Sequence, residues 1–186
     1  MPSAPSRARS KARVPSKTRA DPDDRTRTSP ASKSFRIADY PFYRIARVAG
    51  LYSECLDREL KPRGMDQPRW RVLMILNEHS PAAMGAIAEL AVMKLPTLLK
   101  LVQRMTEEDL VRNGPRLSDQ RVTEVTITPR GRKALVVIRR VAAEVYSQVT
   151  SHLSSKDIES LNNVLGGLEQ NLLTMRRERR QAAAEG

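Results

Sequence analysis

The stretch MGAIAELAVMKLPTLLKLVQRMTEEDLVRNGPRLSDQRVTEVTITPRG, from Met84 to Gly131, decides how this chain is read. Ile87, Leu90 and Ala91 supply the apolar positions of a first short helix. After a break at Val92-Met93 a second helix begins at Leu95-Pro96, where proline is tolerated because the first turn has no intrahelical N–H bond to lose. Leu98, Leu101, Val102 and Met105 recur at helical spacing and are expected to bury. Thr97, Lys100 and Arg104 then share an exposed face carrying one hydroxyl and two cations. Beyond this helix the β-branched set Val122, Thr123, Val125, Thr126, Ile127 and Thr128 reads as a β-ribbon with a basic tip. Two helices followed by such a ribbon predict a winged helix-turn-helix, whose second helix has the size to enter a major groove.

Working outward, the pattern predicts long helices on both sides, so the fold class is mainly α with a small β-wing. On the N-terminal side a helix is expected from Arg36 to Leu60, with a stripe of Ile45, Val48, Ala49, Tyr52, Cys55, Leu56 and Leu60, stopped by Lys61-Pro62-Arg63-Gly64. Cys55, on that stripe, reads as a buried and inert thiol. A second helix runs from Asp66 to Glu78 with Trp70, Leu73, Met74 and Leu76 facing inward. On the C-terminal side Thr128-Pro129 has the form of an N-cap followed by a first-turn proline. The helix it opens carries Leu135, Ile138, Ala142, Val145 and Val149 inward. A last helix opens at Ser154-Ser155-Lys156-Asp157 and carries Ile158, Leu161, Leu165, Leu168, Leu172 and Met175 in steps of three and four. That narrow heptad seam suits a helix partner rather than a broad core, and Ile158, Leu161, Leu165, Leu168 and Leu172 are expected at a homodimer interface. The implied organisation is a disordered basic tail over 1–33, helical dimerisation regions over 34–62 and 129–178, a DNA-reading lobe over 63–128 and a disordered tail over 179–186.

Composition narrows the partners. The 186 residues carry a net charge of +12, extreme enough to expect a polyanion. Residues 1–33 hold nine basic and three acidic side chains, leaving 24 and 18 in the rest, so the region expected to fold is itself basic by +6. The tail lacks the large apolar residues needed to offset chain entropy, and it reads as a solubilising tail or as an arm along the DNA backbone. One cysteine excludes an intrachain disulfide framework, and two histidines make a dedicated metal site unexpected. There is no phosphate-binding glycine loop and no pairing of nucleophile and base, so no enzyme, cofactor or catalytic residue is expected. With no apolar run near the ~20 residues of a membrane span, no membrane association is expected and the default location is cytoplasmic.

With these elements placed, the chain resembles the MarR family of dimeric winged-helix transcription regulators over roughly residues 36–175. The resemblance rests on Trp70-Arg71-Val72-Leu73, Ile87-Ala88, Pro96-Thr97, Leu101-Val102-Gln103-Arg104-Met105 and Leu110-Val111. Asp119-Gln120-Arg121 matches the D-x-R of the wing, and Ile127-Thr128-Pro129-Arg130-Gly131 the L-T-x-x-G that follows. The chain departs from the family at Leu99 (usually threonine), Lys100 (usually arginine) and Asp109 (usually glycine, after a helix end that favours positive φ). Asn113 stands where the strand arginine is customary, and Arg112 lies one residue earlier.

The residues and the resemblance together define the expected sites. Lys100 and Arg104 suit guanine O6/N7 or phosphate, Thr97 suits phosphate, Gln103 lies on the same helix, and Leu99 offers a thymine methyl contact. The resemblance assigns Arg121 to the minor groove and Asp119 to holding the wing; Arg112 and Arg116 would add backbone contacts. It also implies a small anionic or phenolic effector between the dimer helices and the DNA-reading lobe, an aromatic carboxylate or its acyl-CoA thioester, with Tyr43, Arg44, Arg47, Tyr52, Arg69 and Trp70 as candidate contacts. The plainer reading of Tyr52 and Trp70 is core, and of the arginines a solvated surface. The expected function is a homodimeric repressor of a pseudo-palindromic operator in double-stranded DNA. The rival is a basic architectural dimer without sequence preference.

Overall fold

The computed structural model describes residues 28–185, which fall into two compact units, one ending at Leu51 and one beginning at Tyr52. Of the tail expected over residues 1–33, all but the last six lie outside the described residues. Residues 28–33 form turns, with the Ser32 N–H donating to the Ser29 carbonyl at 3.0 Å.

The first unit holds a 3-10 turn at Ile37–Asp39 and the opening of α1 (Pro41–Leu60). The helix begins at Pro41 rather than near Arg36 because proline belongs in a first turn and forces the residue before it out of the helical region; Tyr40 is extended, at φ −78° and ψ 115°. Phe35, Tyr40 and Phe42 stack edge to face or tilted, with centroids 5.8 and 5.6 Å apart. Ile45 and Val48 are exposed.

In the second unit the end of α1 buries Leu56 and Leu60, and a 3-10 turn at Lys61–Arg63 stops on Gly64 with a φ of 68°. The expected burial of Cys55 is not realised: it is exposed. On that part of the stripe Leu56 and Leu60 are fully buried and Tyr52 packs against the core, whereas Cys55 points a third of a turn away into a shallow groove of 230 Å³ with Arg58, Val141 and Val149. Asp66 caps α2 (Gln67–His79) by accepting the Arg69 N–H at 2.8 Å. Next come β1 (Ala82–Ala83), α3 (Met84–Leu90), α4 (Leu95–Glu107), β2 (Val111–Arg116) and β3 (Asp119–Ile127). The strands form an antiparallel sheet in the order β1-β3-β2, with Ala82 opposite Val125 and Val111 opposite Ile127. This is the mainly helical fold with a small wing that the pattern predicts. One core gathers Leu56, Val72, Leu73, Ile87, Leu98, Val102, Met105, Val125 and, from α5 (Pro129–Val149), Leu135, Ile138 and Val145. α5 is therefore packing material for the lobe, whatever else it does.

The junction between wing and α5 explains the Thr-Pro-Arg-Gly sequence. The Thr128 hydroxyl accepts the Gly131 N–H at 2.9 Å and lies 2.6 Å from the Asp109 carbonyl and 3.1 Å from that of Leu110. A Cβ at position 131 would stand 2.1 Å from the Leu110 carbonyl oxygen, so only glycine fits.

α6 (Ser155–Glu185) opens on a reciprocal cap. The Asp157 carboxylate accepts from Ser154 N–H and Oγ at 2.9 and 2.7 Å while the Asp157 N–H donates to Ser154 Oγ at 3.2 Å. These bonds favour the ionised form and hold the Asp157 carboxyl below its ordinary range. Where residues 179–186 were expected to be disordered, the helix continues to Glu185: Arg, Gln, Ala and Glu are strong helix formers, and no glycine intervenes before Gly186. The heptad residues Leu161, Leu165, Leu172 and Met175 are exposed, and Ile158 and Leu168 half-buried.

Candidate nucleic-acid interface

α4 divides into two faces. Leu98, Leu101, Val102 and Met105 are all buried, whereas Leu95, Thr97, Leu99, Lys100, Gln103 and Arg104 are exposed. Lys94 opens the helix without a side-chain cap, at the positive end of the helix dipole, and the Thr97 N–H donates to the Lys94 carbonyl at 3.0 Å. Gln103 Nε2 donates to Glu107 at 3.3 Å, and Arg104 Nε lies 3.4 Å from the Lys100 carbonyl. Neither contact buries its side chain. The helix-turn-helix turn is made by Val92, with a φ of 53°, and is held from outside the motif: Arg71 Nη1 on α2 donates to the Ala91 carbonyl at 2.8 Å. Nothing local in the sequence around Arg71 signals that role, because its partner lies 20 residues on. Leu90, one of the positions that marked α3, is exposed; the buried face is Met84, Ile87 and Ala88.

The wing presents Arg121 with its side chain 92 % exposed, yet ordered at the base: its backbone N–H and Nε both donate to Asp119 Oδ1, at 3.1 and 3.2 Å. Arg112 is exposed. Arg116 is engaged, its Nε 2.7 Å from Glu124 Oε1 across the ribbon, which leaves less of it for a phosphate. The pairing slips between Pro115 and Arg116, and the turn that follows carries Leu117 fully exposed, an apolar tip no sequence signal had singled out. Between wing and helix lies an open cleft of 450 Å³, lined among others by Met84, Leu95, Leu99, Arg121 and Thr123. Leu99 and Arg121 thus face one space. Asp109 takes the positive φ its position calls for, at 54°.

The candidate effector contacts fare differently. In the first unit Arg47 Nη1 reaches Tyr43 Oη at 3.5 Å with its guanidinium carbon 5.8 Å from the ring centroid, a cation–π pair, and Arg44 is exposed. In the second, Tyr52 is half-buried and burial raises its phenol above the ordinary value. Trp70 is half-buried with an indole N–H lacking a partner among the described residues. Arg69 is committed. It pairs with Asp66 at 3.0 Å and with Glu108, its side chain 16 % exposed, and so ties the start of α2 to the end of α4. Its guanidinium is answered by two carboxylates and is not a free anion site. No group of histidine, cysteine and acidic side chains able to hold a metal occurs among the described residues, and no described helix is long and apolar enough to cross a membrane.

Known proteins share this fold. Residues 65–123 match the model of the MarR family. The chain is 40 % identical over 146 residues, 78 % of its length and 87 % of the relative's, to the HTH-type transcriptional repressor IacR of Pseudomonas putida. Among solved structures it resembles CouR from Rhodococcus jostii RHA1 bound to p-coumaroyl-CoA, with a TM-score of 0.65, 17 % identity, 72 % of this chain and 94 % of that one covered. It also resembles a mutant MarR from E. coli complexed with operator DNA, with a TM-score of 0.64, 17 % identity and coverage of 71 and 96 %.

Proposed function

The chain belongs to the MarR family of transcriptional regulators, and from that premise we propose that it is a homodimeric repressor that binds a pseudo-palindromic operator and leaves it when a small aromatic acid, or its acyl-CoA thioester, binds. One observation carries the reading: α4 exposes Thr97, Leu99, Lys100, Gln103 and Arg104, and its Leu99 lines one cleft with the Asp119-ordered Arg121 of the wing. In this assignment α4 lies in the major groove, with Lys100 and Arg104 on guanine edges or phosphates, and Arg121 enters the adjacent minor groove. Arg112, and Arg116 when released from Glu124, contact the backbone. Repression follows IacR, whose name describes a repressor. The effector class follows the CoA thioester in CouR together with the excess positive charge of this chain.

Dimerisation through Ile158, Leu161, Leu165, Leu168 and Leu172 accounts for an apolar seam that the single chain leaves exposed at Leu161, Leu165 and Leu172 and half-buried at the other two. Among the effector candidates Tyr43, Arg44, Arg47, Tyr52 and Trp70 remain, each to be tested singly. The deciding experiment is footprinting on the DNA next to the gene. A specific regulator protects one short palindromic site and holds it at physiological salt, whereas a broad footprint lost at modest salt identifies an architectural binder. On that site Arg121→Ala is expected to weaken binding on the order of 10- to 100-fold with an unchanged circular dichroism spectrum; unaltered binding refutes the wing assignment. Adding a free aromatic acid or its thioester at fixed protein then shows which of the two displaces the DNA.

A further inference from the structure

The chain past Met175 is not absorbed by the fold, by the heptad seam or by the DNA-reading lobe. It reads Arg176-Arg177-Glu178-Arg179-Arg180, four cations and one anion within α6. At 3.6 residues per turn the four arginines fall within an arc of about 160° and Glu178 lies on the far side. The arc overlaps the line of Leu165, Leu172 and Met175, so one face of α6 changes from apolar to basic at Met175. A helix–helix seam cannot continue through such a segment without an anion to neutralise it.

The structure also fixes where this segment begins. Arg176 Nη2 lies 3.2 Å from Glu89 Oε1, an exposed ion pair that contributes little energy but places this turn of α6 beside the last turn of α3. α3 is the first helix of the helix-turn-helix, the one that crosses the sugar-phosphate backbone when the second lies in the groove. Glu89 is taken by Arg176, and among the described residues no carboxylate lies within ion-pair distance of Arg177, Arg179 or Arg180. Lys94, exposed just before α4, adds a cation to the same end of α3.

We infer that Arg177, Arg179 and Arg180 form an additional phosphate-binding surface, taking the sugar-phosphate backbone of the duplex that α4 reads, outside the bases contacted by α4 and the wing. The inference rests on the DNA-binding reading above and extends it to a segment that reading leaves idle. Such a surface adds affinity without sequence preference, and it lengthens the duplex the protein needs. Arg176, held by Glu89, positions the cluster.

The test uses the full-length protein, with a labelled operator duplex carrying about 10 extra base pairs on each side and a second duplex trimmed to the footprint. Binding is followed between about 50 and 200 mM KCl. Replacing Arg177, Arg179 and Arg180 together by glutamine is expected to weaken binding to the long duplex on the order of tenfold or more. The same variant should flatten the slope of log K against log[salt] by about 2–3, near 0.9 for each phosphate that is no longer neutralised. The ratio of operator to scrambled-sequence affinity should stay the same, and on the trimmed duplex the two proteins should converge. Circular dichroism and sedimentation verify that fold and assembly are intact. An unchanged slope on the long duplex overturns the inference, as does a variant whose self-association changes while its slope does not, since the cluster then serves a second copy of the chain. Lys100→Gln with Arg104→Gln tests the underlying reading separately, because that pair should abolish the operator preference. A wild-type protein that binds no duplex overturns both.

Discussion

Val92 is a β-branched residue at a φ of 53°, with 87 % of its surface exposed. The left-handed region costs such a residue about 1–2 kcal/mol, and at this exposure almost no packing offsets it. Val92→Gly should therefore stabilise the protein by about 1 kcal/mol, net of glycine's own entropy cost, seen as a higher denaturant midpoint at constant slope. Asp109, at 54°, occupies the same region at less cost because its short polar side chain tolerates it. Thr128 presents the opposite case. It is buried, caps α5, and satisfies carbonyls at the end of the α4–β2 connection. Thr128→Ala should cost about 2 kcal/mol in urea unfolding, from a lost cap and a stranded Asp109 carbonyl, and Thr128→Ser should recover most of it.

At the scale of elements, the heptad face of α6 makes a direct prediction. Replacing Leu165 and Leu172 by lysine leaves the core untouched, since neither is buried in the chain. Sedimentation should nonetheless show the dimer dissociating at concentrations at least tenfold higher than for the wild type; an unchanged association constant would place the interface elsewhere. The elements that were legible are those whose period is set locally. The 3.6-residue recurrence of Leu98, Leu101, Val102 and Met105 and the β-branched run of β3 each report the surface they bury. α1 was less legible because its stripe is longer than what the core covers: the pattern that correctly marks Leu56 and Leu60 also takes in Cys55, which is exposed. The end of α6 is hard to read in sequence for a different reason. A run of Arg, Gln and Ala has no apolar period and reads as a tail, although its propensity supports a helix.

For the whole molecule, the proposed dimer would set two heads on one frame to read half-sites about one helical turn apart. Inserting about five base pairs between the half-sites turns one head to the opposite side of the duplex. We expect that to lower affinity on the order of 100-fold or more, measured by mobility shift, while a full-turn insertion restores part of it. Of the candidate sites, the exposure of the proposed nucleic-acid face is legible in sequence because its residues lie on one helix and one ribbon. The pairing of Arg69 is not. What commits Arg69 is Glu108, 39 residues away and brought to it only by the packing of α2 against α4.

The junction at Thr128 and Gly131 has a mechanical consequence. With the Leu110 carbonyl lodged against Gly131 and the Thr128 hydroxyl fastened across the strand root, there is no slack between the wing and α5. The six residues of β2 extend about 20 Å at ~3.3 Å per residue. A lever of that length turns a tilt of about 5° at the junction into a displacement of about 2 Å at the tip. Whatever leans on α5 is therefore felt, magnified, where the wing ends.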